Sequence, residues 1–171
     1  MKRMTSAYAN KLIKQLTEEK SHWSSKEREG YVYMVATDET PFIPDYDYEA
    51  VSAIMEELDT KVRILKHAIS FNNITNQVQV GDEVMTIDSI LVKMSQLNNR
   101  KVMLDMMRKH PKKSRIDTRL FGKNTTQEYQ YVNYDLEKVK ADYEKISDEI
   151  MTMQIALDRY NQTFEFEVDI D

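Results

Sequence analysis

FNNITNQVQV, residues 71–80, starts as the end of a helix-like pattern and finishes as alternating polar and apolar residues. The hydrophobic period falls from about 3.6 to 2 within a few positions. The same change recurs in ALDRYNQTFEFEV, residues 156–168, where helical spacing gives way to Phe164, Phe166 and Val168 at alternate positions. Such a change marks a helix terminus feeding a short strand. It predicts helices joined by small β segments, with YVYMV, NQVQV, EYQYV and FEFEV as those segments. Asn72, Asn73 and Asn161 suit the helix ends, because short amides tolerate the left-handed conformation.

Outward from these segments, four helical patterns emerge. The first runs from about Ser6 to Glu29 with Tyr8, Leu12, Leu16 and Trp23 on one side, and Gly30 stands where a terminating residue with positive φ is wanted. YVYMVAT (31–37) alternates as a strand, and TDETPFIPD (37–45) is a loop because its two prolines forbid a regular ladder. The second helix, capped by Asp45 or Asp47, carries a heptad seam of Val51, Met55, Leu58, Val62, Leu65 and Ile69. The third is opened by Thr86 and stopped by Pro111; Ile87, Ile90, Leu91, Met94, Leu97, Val102, Leu104 and Met107 make a broader stripe that suits two neighbours. The fourth, capped by Asn133 or Asp135, repeats Leu136, Val139, Tyr143, Ile146, Ile150, Met153, Leu157 and Tyr160 in strict heptad spacing. The expected fold is mainly α: long antiparallel helices, as a bundle or coiled-coil hairpins, with a small β element of short strands. Residues 1–171 read as one domain, with an N-terminal helix and strand over 1–37 and a helical core over 38–171.

Composition narrows the chemistry. The chain has no cysteine, which removes disulfides, thiolate zinc sites and cysteine nucleophiles. Its three glycines, Gly30, Gly81 and Gly122, each have a turn to make, so none remains for a phosphate-cradling loop. His22, His67 and His110 stand apart and form no metal-ligand pair. Carboxylates gather at Asp38, Glu39, Asp45, Asp47 and Glu49, but their spacing is not that of a calcium loop and helix capping accounts for two of them. No catalytic residue, metal site or cofactor is expected. No apolar run approaches the roughly 20 residues that cross a bilayer, and the amino terminus does not read as a secretory signal, so a cytoplasmic location is expected.

The charge is uneven. Overall the chain carries −5, yet RKHPKKSRIDTR (108–119) holds six Lys/Arg against one Asp, leaving −10 on the remainder. Arg108, Lys109, Lys112, Lys113, Arg115 and Arg119 are therefore candidates for docking an anion or an acidic partner. The tail offers a complementary edge: Phe164, Phe166 and Val168 lie on one face of FEFEVDID, with Glu165 and Glu167 on the other.

PFIPDYDYEAVSAIMEEL, FNNITNQVQVGDEVMTIDSIL and LEKVKADYEKISDEIMTMQIALDRYNQTFEFEVD together resemble the DIP1984-like family of small bacterial proteins, some of which carry the label septicolysin. The likeness spans most of residues 40–171. The family's Arg-Asp pair is absent from ILVKMSQL, and Asn161-Gln162-Thr163 stands where a tryptophan is expected. The resemblance implies a mostly helical, oligomeric cytoplasmic protein with no catalytic residues to carry over. The expected role is a non-enzymatic, self-associating helical scaffold, most simply a homodimer. An anion- or nucleic-acid-binding module through 108–119 is the alternative, and a membrane-active protein the third reading.

Overall fold

The computed structural model describes residues 1–116 and 128–170. In chain order the elements are β1 (Lys2–Thr5), α1 (Ser6–Gly30), α2 (Tyr48–Thr75), β2 (Gln77–Val80), β3 (Glu83–Thr86), α3 (Ile87–Lys109), β4 (Lys113–Arg115), β5 (Tyr129–Tyr131), α4 (Leu136–Thr163) and β6 (Glu165–Val168). The chain is mainly α, and its strands form antiparallel pairs: β1 with β6, β2 with β3, and β4 with β5. Two compact units result. The first comprises Met1–Asn76 with Asp158–Asp171, the second Gln77–Leu157.

In the first unit, Thr5 caps α1 by accepting from the Tyr8 amide at 3.2 Å. The inward face of α1 is Ala9 and Leu16, with Leu12, Ile13 and Trp23 half-buried beside them. Tyr8 lies one position off this row and is 58% exposed, so it is not part of the face its spacing suggested. Asp47 starts α2 by accepting from the Ala50 amide at 3.1 Å. Val51, Leu58 and Leu65, one heptad apart, are buried, which places the expected seam correctly. Lys20 meets Asp59 at 2.6 Å and the Tyr46 hydroxyl donates to Glu27 at 3.0 Å, so rising numbers on α1 meet falling numbers toward α2: the two helices are antiparallel.

Strand β1, whose short KRMT sequence shows no apolar alternation, pairs with β6 in the register Lys2↔Val168, Met4↔Phe166. Met4, Phe166, Val168 and Ile170 join Leu16, Leu58 and Leu65 in one core cluster. Residues 31–37, read as a strand from their alternation, form none. Alternation needs a ladder partner, and Tyr31, Val32, Tyr33, Met34 and Val35 are all exposed with none among the described residues.

The helix ends also differ from expectation. No described non-glycine residue has positive φ. Asn72 instead donates its side-chain amide to the Ala68 carbonyl at 2.8 Å, and Asn76 to the Asn72 carbonyl at 3.0 Å, which carries α2 on to Thr75. Asn161 lies inside α4. Both long helices end on a threonine whose hydroxyl donates to the carbonyl four residues earlier, Thr75 to Phe71 and Thr163 to Arg159. The Tyr160 hydroxyl is enclosed without a hydrogen bond of ordinary geometry. Burial pushes its pKa up, and the nearby Asn76 amide offsets this only in part.

In the second unit, Gly81 adopts φ +57° in the β2–β3 turn, where only glycine is unstrained. Thr86 caps α3 by accepting from the Ser89 amide at 3.2 Å. Buried Ile87, Ile90 and Leu104 line one face of α3, and Val139, Met153 and Leu157 that of α4. Lys93 bridges to Glu149 at 2.8 Å, and Lys101 lies over the Tyr143 ring, so α3 and α4 are also antiparallel. The Glu149 hydrogen bond, acting against desolvation, holds the Lys93 ammonium above its usual pKa.

Gly30 owes its identity to packing, because its φ is not positive. A Cβ there would sit 2.6 Å from the Tyr46 Cβ, an atom that no side-chain rotation can move away. Alanine ordinarily favours a helix by about 1 kcal/mol over glycine. At this position overpacking of about 1–3 kcal/mol outweighs that gain. Gly30→Ala is expected to lower the urea midpoint of unfolding and to weaken the Tyr46–Glu27 contact; an unchanged or higher midpoint would show that Tyr46 yields freely.

Candidate functional site

The basic segment is rooted at the carboxyl end of α3. The helix stops at Lys109 because Pro111 follows and cannot continue it, and His110 closes the last turn by donating its amide to the Met107 carbonyl at 3.2 Å. The chain then enters β4, and β5 returns it: Lys113 lies opposite Tyr131, Ser114 opposite Gln130 and Arg115 opposite Tyr129. Tyr134 donates its hydroxyl to the same Met107 carbonyl at 2.7 Å, and Asp135 caps α4 by accepting from the Glu137 and Lys138 amides at 2.9 and 3.2 Å. The two-stranded ribbon is thus tied at its base to the ends of two helices.

Cross-strand register decides what the ribbon presents. Lys113, Arg115, Tyr129 and Tyr131 share one face, since side chains of directly opposed residues point the same way. The Lys113 ammonium lies 4.0 Å from the Tyr129 ring centre and 5.4 Å from that of Tyr131. Among the described residues no carboxylate pairs with Lys113 or Arg115. This face therefore sets two cations beside two tyrosine rings.

The other basic residues are differently placed. Arg108 donates to Asp105 at 2.8 Å and rests its guanidinium 4.0 Å from the Tyr143 ring centre. Lys109 donates to the other oxygen of Asp105. That carboxylate is held below its ordinary pKa first by Lys109 and then by Arg108, while Asp105 in turn raises Arg108. Lys112 is exposed. Arg119 lies outside the described residues. Of the six candidates the structure therefore brings Lys113 and Arg115 together with two tyrosines, and commits Arg108 and Lys109 to one carboxylate. Asp105 and Tyr143 were missed: Asp105 lies three and four residues before Arg108 and Lys109, a helical pairing signal, but nothing local points to Tyr143.

The proposed tail edge is differently used. One side of β6 is taken by β1, and Phe166 and Val168 are buried in their own chain's core. Phe164 stacks on Tyr160 with ring centres 4.9 Å apart, and Glu165 meets Arg3 at 3.7 Å. Glu167 is exposed, beside an open groove of about 420 Å³ that Arg63, His67 and Asp169 also line.

A second surface lies on α3. Leu91, Val92, Val102, Met103 and Met106 are exposed, from 46% at Leu91 to 62% at Val102. They occupy the side of the helix away from Ile90 and Leu104. Of the broad stripe expected of α3, Ile87, Ile90 and Leu104 are buried, whereas Leu91 and Val102 lie with Val92, Met103 and Met106 on a second face that no described residue covers.

Comparison with protein families and with curated proteins finds no match. Among solved structures, the crystal structure of a functionally unknown conserved protein from Corynebacterium diphtheriae is similar, with a TM-score of 0.67 at 14% identity over 97% of this chain and 100% of that one. The likeness establishes a shared fold. No helix of the described residues is long and apolar enough to cross a membrane.

The Asp105 contact has a defined pH dependence. Its pKa is lower folded than unfolded, so it stabilises the end of α3 above the ordinary carboxyl value of 3.8 and ceases to do so as pH falls through the folded value. Asp105→Asn is expected to melt at a lower temperature than the native chain at neutral pH, with the difference closing in acid. A difference that persists unchanged below pH of about 3 would assign the effect to shape and not to charge.

Proposed function

We propose that this chain is a non-enzymatic, self-associating helical scaffold, a member of the DIP1984-like group acting in the cytoplasm. The observation that carries this reading is the uncovered stripe of α3. Partial burial of such a side chain contributes about 1 kcal/mol, and a twofold contact would use ten of them. That sum is comparable to the roughly 4–15 kcal/mol lost in association, which suits a weak dimer with affinity no tighter than about the millimolar to high-micromolar range. Coiled-coil contact between copies is then made by α3, whose second stripe is free, while the heptad residues of α2 and α4 pack within the chain. The membrane activity attached to the septicolysin label has no observation in its favour.

The experiment is light scattering across a concentration series. The native chain is expected to move from monomer to dimer between high-micromolar and millimolar concentration, and Val102→Glu with Met106→Glu to shift that transition at least tenfold upward with an unchanged far-ultraviolet spectrum. A native chain that stays monomeric throughout would remove the scaffold reading.

A second reading is favoured by the ribbon alone: an anion site formed by Lys113 and Arg115 between Tyr129 and Tyr131. Titration with inorganic polyphosphate, followed by tyrosine fluorescence, should saturate for the native chain and lose at least tenfold in affinity in Lys113→Ala/Arg115→Ala. Equal titrations for the two proteins would eliminate it.

A further inference from the structure

The two halves of the chain repeat each other. In the first, β1, α1, α2 and β2 follow in order; in the second, β3, α3, α4 and β6 do, with the β4–β5 ribbon between the helices. At one constant interval, Thr86 repeats Thr5, each hydroxyl capping its helix by accepting from the amide three residues on at 3.2 Å. Gln96-Leu97 repeats Gln15-Leu16 at that interval, and buried Ile90 repeats buried Ala9. At a second constant interval, Asp135 repeats Asp47 as a cap, and buried Val139, Met153 and Val168 repeat buried Val51, Leu65 and Val80. Helices α2 and α4 each have 28 residues and end on the threonines that bond the preceding turn. The tyrosine before each aspartate cap reaches back to the end of the previous helix, Tyr46 to Glu27 and Tyr134 to the Met107 carbonyl.

Neither half closes on itself. β2 pairs with β3 and β6 with β1, so each sheet takes one strand from each half. The registers agree: Val80↔Glu83 and Gln77↔Thr86 in one sheet correspond, position for position, to Val168↔Lys2 and Glu165↔Thr5 in the other. We infer that the chain is two copies of one β-α-α-β element fused in tandem, and that the strands joining its halves are an interface for a second copy, residues 83–171 of one chain completing residues 1–80 of another. The occupant follows from what already sits there. The first half accepts Phe166, Val168 and Ile170 from its own second half, and the second half of another copy presents the same side chains in the same register. Such an exchange keeps every strand pair between the halves. Only the Gly81–Asp82 turn changes, from a hairpin that needs Gly81 at φ +57° to an extended link that does not. Tethering favours the closed monomer in dilute solution and exchange at high concentration. The inference does not rest on the uncovered face of α3.

The test shortens the link. Val80 and Glu83 are directly paired, so the turn is Gly81 and Asp82 alone. A hairpin needs about two such residues, and a chain lacking both cannot fold back on itself there. Its halves can be completed only by another chain. The native sequence has no cysteine, and exposed Arg3 and Glu167 lie opposite each other across β1 and β6, at a separation that suits a disulfide. Under mild oxidation, Arg3→Cys/Glu167→Cys is expected to close within one chain at native length. In the shortened chain it is expected to give a covalent dimer of twice the mass, with the native far-ultraviolet spectrum. Adding Val102→Glu and Met106→Glu should leave that dimer intact; its loss would assign the contact to α3 and overturn the exchange. A shortened chain that is folded and monomeric also overturns it. If the shortened chain does not fold, native-length Arg3→Cys and Glu167→Cys refolded together decide: a mixed disulfide dimer at high but not low concentration supports the exchange, and its absence at high concentration overturns it. A native chain that is monomeric at every concentration without refolding would remove the α3 contact and leave these outcomes unchanged.

Discussion

The first unit depends on the pairing of the chain's first strand with its last. A two-stranded sheet is marginal by itself in water, and so is a helical hairpin with one apolar side uncovered. Here each supplies what the other lacks. Met4 from β1, Phe166 and Val168 from β6, and Ile170 beyond it are buried on the apolar side chains of α1 and α2. Four such side chains contribute roughly 6–12 kcal/mol of gross burial. The exposed Arg3–Glu165 pair on the same sheet adds at most about 1 kcal/mol, so apolar burial and not charge holds the ends together. The contact joins residues 160 or more positions apart in sequence. Its loop-closure entropy grows only with the logarithm of that length, which a handful of buried side chains can offset.

The helices were legible in the sequence because their physics is local or periodic. Capping needs one side chain at one position, and Asp47, Thr86 and Asp135 each accept the expected amides. Heptad repetition identified Val51, Leu58 and Leu65 as core. What was not legible depends on a distant partner. YVYMV has the alternation of a strand and finds no ladder, while KRMT lacks it and pairs with the chain's end. Gly30 looked like a conformational residue and is a steric one, for a reason located at Tyr46. Asn72, Asn73 and Asn161 looked like left-handed terminators, yet all three lie inside helices, and the Asn72 amide bonds the Ala68 carbonyl of the preceding turn.

The candidate site divides in the same way. Net charge picked out residues 108–119 but could not say which cations are already occupied. One aspartate decides that: Asp105 takes both Arg108 and Lys109, and Tyr143 takes the flat face of the guanidinium. Among the described residues, the cationic character left over belongs to the exposed Lys112 and to Lys113 and Arg115 on the ribbon. There the strand register, not the sequence count, puts them beside Tyr129 and Tyr131.

The uncovered stripe of α3 was hidden by the residues that make it specific. Ser95 and Asn99 interrupt an apolar count, so a search for hydrophobic period merges Leu91 and Val102 with the inward stripe of Ile87, Ile90 and Leu104. A fully apolar outer seam would be easier to detect and also stickier, able to pair in either direction and in several registers. Polar residues at its middle lower its affinity and narrow its choices, since each misalignment strands an amide against a methyl group. An exposed row that is weakly apolar, uncharged along its length and polar at its centre is therefore a poor surface for general adhesion.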